Sequence, residues 1–119
     1  MNENKKQISR MYVLVRQDID PGYQIPQSIH AKDAFTHDYP EIENRWYKES
    51  NTLVVLGVKD EEELLFWTSR AKQENLKTSL FYEPDVDQYT ALAIEPGNRT
   101  TELLKTLKPA CREYRNLTK

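Results

Sequence analysis

Apolar residues along this chain follow two alternating patterns. Short unbroken runs fall at 11–16, 51–58, 77–82 and 89–94, rich in valine, leucine, tyrosine and phenylalanine. Such runs predict buried β-strands. Between them, apolar positions recur every three or four residues, as on one face of a helix. Ile25 and Ile29 are four apart, as are Ala31 and Phe35. Pro26 sits where a missing N–H costs a helix nothing, so the pattern predicts a helix from Pro26 to Asp38, stopped by Pro40. The preceding Pro21-Gly22 reads as a turn. Residues 41–49 predict a short helix anchored by Ile42, Trp46 and Tyr47. Asp60 and Glu63 have capping-box spacing, and Leu64, Trp67 and Ala71 fall on one face behind them, giving a helix to about Asn75. Trp67 and Phe66 both read as core residues. Pro96-Gly97-Asn98 ends the last strand, and Leu103, Leu104 and Leu107 predict a final helix reaching Pro109.

The element order is β-α-(α)-β-α-β-β-α. Strands alternating with helices predict an α/β fold of three layers, with a four-stranded mixed sheet between helices. The run at 51–58 has no polar break, which predicts burial on both faces. Residues 1–10 read as a flexible N-terminal segment, 11–109 as one domain and 110–119 as a basic tail. At 119 residues the chain has room for one core. The lone Cys111 precludes an internal disulfide and fits a reducing, cytoplasmic setting. No apolar run is long enough for a membrane span.

Charge refines this picture only locally. Basic and acidic residues nearly balance, 17 against 19, which argues against a strongly basic nucleic-acid coat. Arg99, Lys105, Lys108, Arg112, Arg115 and Lys119 nevertheless crowd the C-terminal end, and Lys5, Lys6, Arg10 and Arg16 the N-terminal end. Were both ends on one side of the fold, they would form a phosphate-attracting patch. Other chemistries find little footing. His30 and His37 lie two helical turns apart, too far for one metal ion, and no third ligand is evident. With three glycines and no phosphate-binding loop motif, a nucleotide cofactor is not expected.

Three stretches, in order, resemble the type-2 peptidyl-tRNA hydrolases, and most closely their peptidyl-tRNA hydrolase domain-containing subgroup. The first is Val13-Leu-Val-Arg16-Gln-Asp18-Ile with Gln27-Ser-Ile-His30-Ala31. The second runs from Trp46 through the apolar strand to Asp60-Glu-Glu-Glu-Leu64. The third joins Thr78-Ser-Leu80, Glu83-Pro-Asp85 and Thr90-Ala-Leu-Ala-Ile94-Glu-Pro96. The resemblance implies a sheet between helices, commonly in a homodimer, acting in translation on peptidyl-tRNA by cleaving the ester between peptide and terminal ribose. It also implies a site. Asp18, Gln27, His30 and Thr90 match motif positions, and Glu83 stands for an aspartate on a shorter arm. Tyr23 occupies the place of a lysine seven residues before the histidine, offering a hydrogen bond but no fixed charge. Arg16, Lys32, Arg99, Arg112 and Arg115 are the expected tRNA contacts, Lys32 also as a stand-in for the missing lysine. Beside the hydrolase stand two alternatives: an RNA- or ribosome-binding homologue without chemistry, and a protein-interaction module.

Overall fold

The computed structural model describes residues 9–111. Its elements are β1 (Arg10–Arg16), α1 (Pro21–Asp38), α2 (Pro40–Glu49), β2 (Thr52–Val58), α3 (Glu61–Gln73), β3 (Thr78–Glu83), β4 (Gln88–Ile94), α4 (Asn98–Leu103) and β5 (Lys108–Pro109). The sheet has five strands in the order β3-β4-β1-β2-β5. β1 runs parallel to β2 and antiparallel to β4, so the sheet is mixed.

Central β1 shows why the layers form. Met11, Val13 and Val15 point to one face, where they pack with Ala31 and Phe35 of α1 and Trp46 of α2. Tyr12 and Leu14 point to the other, against Leu64 and Ala71 of α3 and Leu104 after α4. Alternation along a strand thus feeds two cores.

Several expectations need correction. The sheet has a fifth strand, because the chain after α4 returns to pair Pro109 with Leu56 and Lys108 with Gly57. The last helix ends at Leu103 rather than reaching Pro109. α1 begins at Pro21, so Pro21-Gly22 opens the helix instead of a turn and Pro26 lies inside it. A proline at the sixth helical position deletes one backbone bond, a cost the surrounding contacts absorb. Finally, Tyr47 and Phe66 are more than half exposed, and the first half of β2 is open to solvent around Leu53.

Ser9 lies beside Ser50 at the start of β1, while at the other described end the Ala110 amide donates to the Val55 carbonyl and the Cys111 amide to Gln17 Oε1. Most of the 1–10 and 110–119 segments, including Arg112 and Arg115, lies outside the described residues.

Candidate functional site

One flank of α1 faces β3 and meets it through paired side chains. Ser79 Oγ donates to Asp38 Oδ2 at 2.8 Å. The His30 and Phe81 rings stack with centroids 4.8 Å apart. Gln27 Nε2 donates to Glu83 Oε1 at 2.9 Å. Ser79, Phe81 and Glu83 alternate along β3, so all three point to the helix side.

β4 reaches the same place by an irregularity. Phe81 pairs with Ala91 but the next residue, Tyr82, pairs with Tyr89, leaving Thr90 as an extra residue without a partner. This is a β-bulge, a device that re-aims side chains. Tyr89 and Leu92 face α3, while Thr90 and Ala91 both face α1. The Thr90 hydroxyl is thereby brought to Gln27 Oε1, at 2.5 Å.

The direction of this chain follows from chemistry. An ionised carboxylate only accepts, so the Gln27 NH2 must face Glu83 and its carbonyl must face Thr90, which therefore donates. Gln27 and Thr90 are buried, and Glu83, at 8 % exposed, is nearly so. Its pKa lies below the usual glutamate value, chiefly through the Gln27 hydrogen bond and then the Asp85 backbone N–H, with His30 adding a smaller favourable charge effect. At the surface beside it stands Tyr23, whose phenol pKa is raised by desolvation and by the charges of Glu83 and Asp85. A tyrosine so placed stays protonated at neutral pH and keeps its O–H to donate.

The sequence-predicted residues thus divide. Tyr23, Gln27, His30, Glu83 and Thr90 gather along one flank of α1. Asp18 does not join them. It grips Arg16 through two parallel bonds, 2.9 Å to Nε and 2.8 Å to Nη2, and lines a depression with Lys59, Glu63 and Leu107 on the α3 side. The Arg16 bond lowers the Asp18 pKa, and Asp18 raises that of Arg16. Arg16 is itself buried, with Nη1 on Gln88 Oε1 and the Tyr89 carbonyl, so its guanidinium is spent on fixing the start of β4. Lys32 braces α1 to α2: its ammonium bonds Thr36 and Glu43 and lies over the Trp46 ring. Arg99 pairs with Glu74 at the end of α3, across the sheet from Gln27. Phe81 was missed as a site residue, although two-residue alternation back from Glu83 would have placed it on the same face.

Among the described residues, no cluster of histidine, cysteine or carboxylates is arranged to hold a metal, and no helix is long and apolar enough to cross a membrane.

Comparison with known proteins adds the following. A family model described as "Peptidyl-tRNA hydrolase PTH2" matches residues 9–108. A search of curated proteins returns no match. Among solved structures, a protein of unknown function, Atu0240 from Agrobacterium tumefaciens strain C58, superposes with a TM-score of 0.63 at 14 % identity, covering 89 % of this chain and 100 % of its own. At that identity the likeness speaks for the fold alone.

Proposed function

Because the chain belongs to the peptidyl-tRNA hydrolase PTH2 family, we propose that it hydrolyses the ester between a peptide and the terminal ribose of tRNA, with Glu83 at the reacting centre. The observation that carries this reading is the buried Thr90–Gln27–Glu83 hydrogen-bond chain, which ends in an ionised carboxylate on a residue that keeps only slight exposure. Ester hydrolysis needs a water held for attack, an acceptor for its proton and a donor for developing negative charge. Glu83 orients the water and accepts the proton as the water adds to the ester carbonyl. The Tyr23 phenol, beside the same carboxylate, donates to the oxyanion. Collapse of the tetrahedral intermediate then expels the ribose oxygen, which takes back the proton that Glu83 had accepted and so restores the carboxylate. Thr90 and Gln27 act as positioning residues. They fix the carboxylate without touching substrate.

The same proposal includes cytoplasmic action and a homodimer. A dimer has a surface available to it: the groove between α1 and β2, lined by Val13, Val15, Ile25, Ile29, Leu53 and Val55. Ile25 and Ile29 are more than half exposed there, an unusual place for isoleucine unless something covers it. The test of function is direct. Purified protein is incubated with N-acetylated aminoacyl-tRNA and ester release is followed. Release above the spontaneous rate, without added metal, is expected. Binding of the tRNA with no release would favour the second reading, an RNA-binding role without chemistry, which the tyrosine at position 23 also suits.

A further inference from the structure

We propose that His30, backed by Phe81, is the platform on which the unpaired 3′-terminal base of the RNA stacks. The proposal rests on the functional reading above and deepens it, since it says which part of the substrate this flank of α1 recognises.

The geometry begins with the ring pair. His30 and Phe81 stack at 4.8 Å with an interplanar angle of 28°. Phe81 is rooted in the core beside α1, half-buried, whereas His30 is exposed. One face of the imidazole is therefore held flat by a fixed ring and the remainder looks to solvent. A bare histidine on a helix surface would sample several rotamers; this one has a backing that costs orientation before any ligand arrives. Flat, pre-oriented aromatic surfaces, histidine among them, are what unstacked bases pack on, and every base has such a face.

Position supplies the second argument. His30 follows Gln27 by three residues, about 4.5 Å along the helix axis, on the flank that also carries Tyr23. Glu83, bonded to Gln27, is close enough to His30 to feel its charge. A base stacked on His30 thus brings the ribose attached to it over Gln27 and Glu83, where its esterified oxygen must lie for hydrolysis. On the far side, the carboxylates of Glu83 and Asp85 crowd Tyr23. They repel phosphates, so the RNA strand departs past His30 and the acyl group past Tyr23.

The test uses an RNA hairpin with a single-stranded 3′ end whose terminal base is 2-aminopurine and whose terminal ribose bears a non-hydrolysable amide-linked acetylaminoacyl group. Binding is read by quenching of the fluorescent base. The account expects quenching with the native protein, at least about tenfold weaker binding for His30→Ala, and recovery in His30→Phe, which restores a ring over Phe81. A hairpin with a terminal abasic ribose and a dye on its 5′ end, read by fluorescence anisotropy, should bind the native protein and His30→Ala equally. His30→Ala binding as tightly as the native protein, or His30→Phe failing to recover, would overturn the platform. Hydrolysis is scored separately on N-acetylated aminoacyl-tRNA. Base-dependent binding without ester release would sink the hydrolase reading and leave the platform, while release unaffected by His30→Ala, at substrate concentrations below KM, would do the reverse.

Discussion

The two flanks of α1 could hardly differ more. Toward β3 and β4 the helix is joined by polar and aromatic pairs, Asp38 to Ser79, His30 to Phe81 and Gln27 to Glu83 and Thr90, and its most buried members include a glutamine. Toward β2 it turns Ile25 and Ile29 outward over an open apolar groove. An ordinary surface helix buries its isoleucines and exposes its glutamines. Here the arrangement is inverted. Burying Gln27 would cost free energy unless every polar group it carries is met, and Glu83 and Thr90 meet them. The isoleucines left outside are a debt that a partner surface would settle. Local stability explains neither flank, which points to chemistry on one and to contact on the other.

Replacing Gln27 by leucine should do the most damage. It takes away the donor that holds Glu83 and strands the Thr90 hydroxyl in the core. Ester release should fall by about 100-fold or more, the scale seen when a positioned polar group is removed from a reacting centre. Stability should drop by about 1–3 kcal/mol, the cost of an unsatisfied buried polar group. Full activity in a folded Gln27→Leu protein would remove the reason for the polar flank.

The pH dependence follows from the same bond. The folded-state pKa of Glu83 is below its ordinary value of 4.5, so the folded state favours the ionised form. Its contribution to stability is present above the unfolded value and is lost as pH falls through the depressed folded value. The acid limb of activity should therefore lie below 4.5 in the native protein. In a Gln27→Met variant it should move to higher pH, because the first cause of the depression is gone. A pH–rate profile of residual activity with an unmoved limb would assign the limb to another group.

Thr90→Val keeps shape and loses the hydroxyl. It should cost about 1 kcal/mol of stability, measured by denaturant unfolding, and on the order of tenfold in kcat, since Gln27 can then rotate away from Glu83. Ser79→Ala, at the far end of the same flank, sharpens the contrast. It should cost about 0.5–1.5 kcal/mol and leave ester release unchanged. On the opposite flank, Ile29→Asp should alter the stability of the fold by no more than about 0.5 kcal/mol, yet shift the sedimentation behaviour toward monomer. A species of unchanged mass would dismiss the groove as a dimer surface.

Much of this was readable in the order of residues, and the omissions have physical causes. Strands β1 to β4 and helix α3 announce themselves because unbroken apolar runs and a capping box are local signals; Glu63 N–H does donate to Asp60 Oδ1, at 3.0 Å. The start of α1 was missed because two prolines, Pro21 and Pro26, each offer a plausible first turn, and only packing chooses between them. β5 escapes notice because two residues carry no period. At the site, Gln27, Glu83 and Thr90 were legible through motif order, but not the bulge that turns Thr90 toward α1, since a shift in pairing register depends on both strands. Asp18 is a site expectation by its match to a motif position after the first strand, and Arg16 as a tRNA contact. Their mutual bonds, and the α3 side on which they form, are tertiary facts.

The measurement that bears most directly on the whole account is a single-turnover comparison of N-acetylated aminoacyl-tRNA cleavage by the native protein and by Glu83→Gln, which keeps the side chain's size and removes its charge. The account predicts release well above the spontaneous rate by the native protein and a fall of about 100-fold or more in the variant. Equal rates for the two would contradict it.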